Sequence, residues 1–137
     1  MTRPIKFYDE LHEAKFASIG AKMKYLDEYH KAAAYLLSLD VVCREHIADL
    51  FDFDEDVIRP DGLEKDWQTG TSRKTSRLLF NLWNGHCSDG QKGKDEDGYE
   101  VELPSENYAV DNIFNCSYAP YYCEAIRIRF PIFFEAD

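Results

Sequence analysis

The amino-acid sequence has no long hydrophobic run. No stretch approaches the ~20 consecutive apolar residues that a bilayer span requires. Residues 1–6 lead into a charged segment, where a signal peptide would have its apolar stretch. We therefore predict a cytoplasmic protein that contacts no membrane.

Cysteine is scarce, and no two of the four cysteines have C-x-x-C spacing. Without an export signal, a reduced state is expected. Cys43 and His46 lie three apart on a predicted helix face, and with Cys116 and Cys123 they leave a structural zinc site as an alternative. Small buried thiols are common on apolar helix faces. We therefore expect no metal and no cofactor.

Positive charge is also in short supply. The 137 residues include 16 Lys plus Arg against 26 Asp plus Glu, a net charge of −10, which excludes a surface that attracts nucleic acid or anionic membrane as a whole. The chain is 45% hydrophobic and 15% aromatic, too apolar for a disordered acidic tail. Its length predicts one domain, residues 1–137, with a core that needs no disulfides.

Apolar residues recur mostly at helical spacing. Helix starts are indicated by Asp40, by Thr71 or Ser72, by Ser105 and by Pro120, and helix ends by Gly85 and Pro131. In the second predicted helix, the buried face comprises Leu26, Tyr29, Ala33, Leu36 and Leu37. The predicted helices cover residues 6–23, the segment around 26–37, 40–52, 71–84, 105–114 and 120–130.

Two segments lose the helical period. Residues 53–70 predict a long connection with one helical turn around residues 63–67, and residues 86–104 predict an exposed acidic loop. Within that loop Tyr99, Val101 and Leu103 alternate with acids, which allows a short strand. The predicted fold is therefore mainly α: a compact bundle of five or six helices with a long acidic loop and room for one short β-hairpin.

A cluster of hydroxyls and cations marks the start of the helix predicted at residue 71. With the free backbone N–H groups of a first turn, it could hold a phosphate or carboxylate. The stretch has a single glycine and does not match the phosphate loop of nucleoside triphosphatases. The alternative is an ordinary helix cap whose cations pair with Asp61, Glu64 or Asp66. The candidate anion-binding residues are Thr71, Ser72, Arg73, Lys74 and Arg77.

An acidic surface is predicted just before that helix. Residues 49–66 hold eight acids against two bases. Asp52, Asp54 and Asp56 alternate like the start of a calcium loop, but Val57 and Leu63 stand where a glycine and a bidentate glutamate are required. We therefore predict a solvated acidic face that binds a partner through Asp52, Asp54, Glu55 and Asp56.

Two aromatic residues follow Pro131 near the end of the sequence. Phe133 and Phe134 belong either to the core or to a contact surface for a partner or a second copy of the chain. We keep both alternatives and include the pair among the candidate partner-binding residues, with a homodimer as one option.

Three groups of motifs carry a resemblance to a known family. They are Phe7-Tyr8-Asp9 with His12 and Phe16; residues 67–73 running into 80–85; and residues 116–121 with 124–131. In these stretches the chain resembles a family of small soluble proteins of unknown function from Gram-positive gut bacteria and their phages and mobile elements. The resemblance implies a habitat, no activity and no catalytic residues.

Charge and resemblance together favour a non-enzymatic interaction protein. We expect its acidic surface to engage a basic host protein and to make no direct contact with nucleic acid. An inhibitor of a bacterial defence nuclease, comparable to anti-CRISPR proteins and acting on the nucleic-acid groove, fits both observations. The alternative is a small enzyme or sensor that binds a phosphorylated ligand at residues 70–77.

Overall fold

The computed structural model describes residues 4–134 and is mainly helical, as the periodicity predicts. Within these residues there are seven α-helices, three of them single turns, and two antiparallel hairpins where at most one was expected. The helices are α1 Glu10–Lys22, α2 Glu28–Leu39, α3 Val41–Arg44, α4 Ile47–Leu50, α5 Gly70–Asn84, α6 Val110–Ile113 and α7 Ala119–Arg129. The strands are β1 Phe51–Asp52, β2 Val57–Ile58, β3 Lys92–Lys94 and β4 Glu100–Glu102.

Helix α2 lies at the centre of the molecule. All residues from 32 to 39 are buried, and the helix packs against α1, α5 and α7. The prediction that Leu26 and Tyr29 belong to its buried face is wrong, because they are 60% and 40% exposed. Asp27 caps the helix by accepting a hydrogen bond from the His30 N–H, so Leu26 precedes the helix and its periodicity. The Tyr29 ring lies under the Arg129 guanidinium.

Helix α1 starts later than predicted. Asp9 accepts a hydrogen bond from the His12 N–H at 2.8 Å and acts as the N-cap. Residues 6–8, predicted as helical, lie before it, because the Lys6 N–H donates to the Glu124 carboxylate in α7 at 2.8 Å. That long-range bond holds the segment against the bundle and outside the helix.

The helix predicted over residues 40–52 is divided. Asp40 caps its start as expected, accepting from the N–H groups of Val42 and Cys43 at 2.8 and 3.0 Å. The first piece, α3, ends at Arg44, because His46 leaves the helical region (φ −134°) and its ring stacks on Trp67 with centroids 4.5 Å apart. Helix α4 follows, and the chain then enters β1.

The predicted connection over residues 53–70 contains a hairpin that the sequence pattern did not reveal. Strands β1 and β2 pair Phe51 with Ile58 and Asp52 with Val57, and strands of two residues are too short to show a period. The helical turn predicted around residues 63–67 is a 3₁₀ turn over Pro60–Glu64. A side chain at Gly62 would place its Cβ 2.3 Å from the Asp49 carbonyl oxygen, so this close approach requires glycine.

Helix α5 matches its prediction except at the cap. The N-cap is Thr69, and neither Thr71 nor Ser72 occupies that position; Thr69 and Ser72 form a reciprocal capping box. Gly85 ends the helix with a φ of 80°, as expected for a left-handed C-cap.

The C-terminal helices also follow their signals in part. The helix predicted over residues 105–114 divides into a 3₁₀ turn, Glu106–Tyr108, which Ser105 caps, and the short α6. Pro120 lies in the first turn of α7 as predicted. Helix α7 ends at Arg129, and Pro131 begins a short 3₁₀ turn. Within residues 4–134 no helix is long and apolar enough to cross a membrane.

Candidate functional site

A cleft of about 520 Å³ lies beside the N-terminal half of α5. Its walls come from the 3₁₀ turn that precedes the helix, from the loop that follows it and from β4. The two acidic segments of the sequence therefore meet across this helix. The charged side chains that line the cleft are Asp61, Glu64, Asp89, Glu102, Arg73 and Arg77.

One ion pair fixes a wall of the cleft. The Nε and Nη2 atoms of Arg77 donate to the two carboxylate oxygens of Asp89 at 3.2 and 3.1 Å, and both side chains are mostly buried. Ser105 and Asn107 donate to the same carboxylate at 2.8 and 3.0 Å. Burial alone would raise the pKa of Asp89, but hydrogen bonds from Asn107, Arg77 and Ser105 outweigh it and lower that pKa. Asp89 thus anchors the loop to α5 as a carboxylate.

The remaining arginine of the cleft is less fully engaged. The Nε atom of Arg73 donates to the Leu63 carbonyl at 3.4 Å, and its terminal nitrogens bond to no residue in 4–134. The lining of the cleft contains four carboxylates and two guanidinium groups, that of Arg73 included, and its net charge is therefore −2. A lining with this balance attracts a cationic group more than an anion.

The structure brings only part of the predicted anion-binding set to the cleft. Arg73 and Arg77 line it, whereas the Lys74 ammonium donates to the Asn112 carbonyl. The Ser72 hydroxyl is buried, donating to Gln68 at 2.5 Å and accepting from the Thr69 N–H at 2.7 Å. Half-buried Thr71 accepts a hydrogen bond from Thr75 through its carbonyl. Anion binding at this helix start stays a prediction.

The cations do not pair with the upstream acids as the alternative supposed. Across residues 4–134, no salt bridge joins Arg73, Lys74 or Arg77 to the acids at positions 61, 64 and 66. Arg77 takes its partner from the loop after the helix, and the upstream carboxylates of Asp61 and Glu64 stay exposed at the rim of the cleft.

The four predicted partner-binding acids lie in the β1–β2 hairpin, Asp52 at the end of β1 and the others in the turn, and they fall into two pairs. Asp52 accepts from the backbone N–H groups of residues 54 and 55 and from Arg59, and Asp56 contacts the His30 ring at 2.8 Å. These two carboxylates hold the turn together. Asp54 and Glu55 are exposed, and their carboxylates bond to nothing within residues 4–134. They are the pair that a partner could reach.

The second hairpin adds further exposed acids. Asp95, Glu96 and Asp97 form its tip, and Glu100 and Glu102 lie on β4; all five are exposed. Glu102 also lines the cleft. Glu102 therefore connects this acidic hairpin to the cleft.

Phe133 and Phe134 are surface residues. They are 80% and 52% exposed, and the adjoining Ile132 is 75% exposed. The alternative that assigned this pair to the core is thereby excluded, while their binding role stays a prediction.

The zinc alternative finds no support in the arrangement of its residues. Buried Cys43 points its Sγ atom toward the Ser72 carbonyl at 3.6 Å, His46 stacks on Trp67, and Cys123 is exposed on α7. Residues 4–134 contain no group of three or more histidine, cysteine, aspartate or glutamate side chains that could hold a metal ion.

The association of the two acidic segments across α5 was not predicted from the sequence. Asp89 and Glu102 were counted only as part of an exposed loop, because nothing in their spacing shows which helix the loop folds against. The available signal was the three cations in the first turns of α5, which oppose the helix dipole and call for carboxylate partners. That signal identifies neither the partner nor the cleft.

Fold and cleft together define a small, mainly helical acidic protein with a net negative cleft beside one helix. The chain belongs to DUF6075, a family of unknown function, whose model matches residues 2–137. No curated protein and no solved structure matches the chain.

Proposed function

We propose that the protein is a non-enzymatic acidic binding protein that takes a basic segment of a partner protein into the cleft beside α5. The observation that carries this proposal is the charge of that cleft. Carboxylates from two separate segments outnumber its arginines, and Arg77 is already paired with Asp89. The β3–β4 hairpin, whose Glu102 lines the cleft, adds further exposed acids.

The partner that we propose is a bacterial defence nuclease. Such an enzyme has a basic groove for nucleic acid, and an acidic protein that fills this groove excludes the nucleic acid by competition. The net charge of −10 favours rapid association with a basic surface. A phage or mobile element would be the source of such an inhibitor.

The test is affinity capture from bacterial lysate with matched charge variants. The cleft variant, Asp61→Asn with Glu64→Gln, removes two carboxylates from the rim. The control, Glu10→Gln with Glu13→Gln, removes two exposed carboxylates from α1, which does not line the cleft. We expect the native protein and the control to retain the same basic protein and the cleft variant to lose it.

Salt dependence and competition complete this test. At ~1 M salt the Debye length is only about 3 Å, so retention should disappear. The retained protein should be a nuclease whose binding to nucleic acid is inhibited by the native chain. Equal retention by both variants, or retention that survives ~1 M salt, contradicts the proposal.

Arg73 favours a second candidate, the binding of a phosphorylated small molecule. Arg73 lines a cleft of about 520 Å³, and its terminal guanidinium nitrogens bond to no residue in 4–134. A thermal-shift screen with nucleotides and inorganic phosphate tests this candidate. Stabilisation that disappears in Arg73→Ala supports it, and no shift at millimolar ligand rejects it.

A further inference from the structure

The β3–β4 hairpin leaves two strand edges uncovered. Lys92 and Lys94, the first and last residues of β3, are exposed, and so are all three residues of β4. An exposed strand edge presents backbone N–H and C=O groups that can pair with another chain. The register of the hairpin decides which residues present these groups.

Two hydrogen bonds fix that register. The Leu103 N–H donates to the Gln91 carbonyl at 2.8 Å, and the Asp95 N–H donates to the Tyr99 carbonyl at 3.0 Å. In an antiparallel ladder, hydrogen-bonded and non-hydrogen-bonded pairs alternate. The pairs 92 with 102 and 94 with 100 are therefore the non-hydrogen-bonded ones, and the backbone N–H and C=O groups of Glu100 and Glu102 point away from β3.

The side chains along β4 alternate in chemistry. Glu100 and Glu102 lie on one face of the hairpin, while Tyr99, Val101 and Leu103 lie on the other, where they are 71%, 36% and 39% exposed. A strand added beside β4 would place its own alternate side chains against these two faces. It fits best when its residues alternate between basic and apolar.

The two edges of the hairpin differ in charge. The outer edge of β3 contains Lys92 and Lys94, and lysines on an edge both block strand pairing and repel a basic chain. The edge of β4 contains two glutamates instead. The salt bridge from Lys92 to Glu102 spans 3.6 Å between half-exposed side chains, and an exposed pair of this kind is too weak to withdraw Glu102 from a partner.

We infer that the free edge of β4 binds an extended basic segment of the partner as a third strand. Its basic side chains would lie on the face of Glu100 and Glu102, and its apolar side chains on the face of Val101 and Leu103. Because Glu102 also lines the cleft, the added strand would run along the rim of that cleft. This inference rests on the proposed function, which supplies the basic partner.

The test uses a ten-residue peptide of alternating lysine and valine with blocked ends. Two further peptides have the same sequence, one N-methylated at every lysine and the other at every valine. Methylation of a backbone nitrogen removes a hydrogen-bond donor without changing the charge. The backbone N–H groups of the lysines and of the valines point to opposite sides of a strand, so only one of these two sets can donate to β4. We expect one N-methylated peptide to bind at least tenfold more weakly than the other, with the lysine set affected in antiparallel addition.

A substitution in the protein provides a second measurement. Glu100→Pro removes an outward N–H and no hydrogen bond of the hairpin, and Glu100→Gln is its control for the lost charge. In amide NMR titrations of the full chain, we expect the unmethylated peptide to shift residues 99–103. Glu100→Pro should weaken its binding more than Glu100→Gln does.

The outcomes separate this inference from the proposed function. Equal binding of the two N-methylated peptides to the native protein would overturn strand addition. If both peptides also bind the Asp61→Asn, Glu64→Gln variant more weakly than the native protein, the acidic cleft remains the binding site. If the unmethylated peptide does not bind, strand addition is also overturned, while lysate capture independently tests the cleft.

Discussion

Carboxylates have opposite surroundings in two regions of the molecule. In the helical core, formed by α1, α2, α5 and α7, the Glu124 side chain is 2% exposed and takes two hydrogen bonds from Arg127 at 3.0 and 2.7 Å. In the acidic segments, residues 49–66 and 86–104, side chains such as Asp54, Glu55 and Glu96 are exposed. The first region thus compensates its buried carboxylate internally, whereas the second presents many of its carboxylates to solvent.

This difference indicates which charges the fold requires. A buried carboxylate whose partner is also buried cannot be removed without leaving that partner uncompensated. Exposed carboxylates close together repel one another and contribute little to stability. Exposed carboxylates that bond to nothing within residues 4–134, such as those of Asp54, Glu55 and Glu96, therefore have no stabilising contact there and stay accessible to a partner.

The largest expected effect is in the core. Glu124→Ala leaves the Arg127 guanidinium, 12% exposed, without its carboxylate and takes the acceptor from the Lys6 N–H. We expect the free energy of unfolding to fall by about 3–5 kcal/mol. Urea unfolding measures it, with Glu96→Ala as the exposed control, which should change stability by less than about 0.5 kcal/mol. Equal losses in the two variants would refute the distinction between the regions.

A smaller effect is expected where the two regions join. Asp89→Ala removes the acceptor shared by Arg77, Ser105 and Asn107. Hydrogen bonds to a charged group contribute about 1.5–3 kcal/mol, so we expect a loss of about 2–3 kcal/mol. Hydrogen exchange should also accelerate in residues 86–104 while the amides of α2 stay protected. Uniform acceleration through both regions would show that the acidic loop and the core unfold as one unit.

Much of the core could be predicted from the sequence. The helical spacing over residues 71–84, the Gly85 end, the Asp40 cap and the Pro120 start each depend on interactions within a few residues, which the sequence pattern records directly. Errors arose where distant contacts decide the local structure. The stacking of Trp67 on His46 accompanies the break in the helix predicted over residues 40–52. The hydrogen bond from the Lys6 N–H to Glu124 keeps Lys6 outside the helix predicted over residues 6–23.

For the candidate site, the sequence indicates the charged residues involved but not how they pair. The sequence shows that the cations of α5 need carboxylates and that acids flank the helix on both sides. Which acid meets Arg77 depends on how the loop after Gly85 folds back, and Asp89 is fixed there by Ser105 and Asn107. Both contacts span more than fifteen residues of chain, and no local period encodes them.

A third prediction concerns pH and two buried histidines with opposite behaviour. Burial opposes the charged form of His30, but its bonds to Asp27 and Asp56, at 2.6 and 2.8 Å, outweigh this and raise its pKa above the ordinary 6.5. The Tyr25 and Trp83 rings, uncharged, complete its surroundings. For His12, burial dominates over the hydrogen bond to the Tyr35 carbonyl and lowers the pKa.

The signs follow from linkage. The bonds of charged His30 contribute fully to the free energy of unfolding below about pH 6.5, and this contribution is lost as the pH rises through the raised pKa of His30. The lowered pKa of His12 has the opposite effect: the free energy of unfolding falls as the pH drops below about 6.5. Each slope is limited to about 1.4 kcal/mol per pH unit. In His30→Gln, we expect the free energy of unfolding to decrease less as the pH rises above about 6.5. The decrease below about pH 6.5, which comes from His12, should remain. An unchanged alkaline decline in this variant would contradict the role of His30.

The smallest expected effect divides the acidic hairpin itself. Asp95 accepts hydrogen bonds from the N–H groups of Asp97 and Tyr99 at 3.0 and 2.9 Å, so its carboxylate shapes the turn, while neighbouring Glu96 is exposed and bonds to nothing within residues 4–134. Asp95→Ala should cost the hairpin about 1 kcal/mol, seen as faster hydrogen exchange at residues 99 and 101, and Glu96→Ala should leave that exchange unchanged. Asp95→Asn, which keeps an acceptor oxygen, should restore protection, since the turn needs the oxygen and not the charge. If Asp95→Asn exchanges as fast as Asp95→Ala, charge itself holds the turn, and the exposed acids would no longer be separable from those that the fold requires.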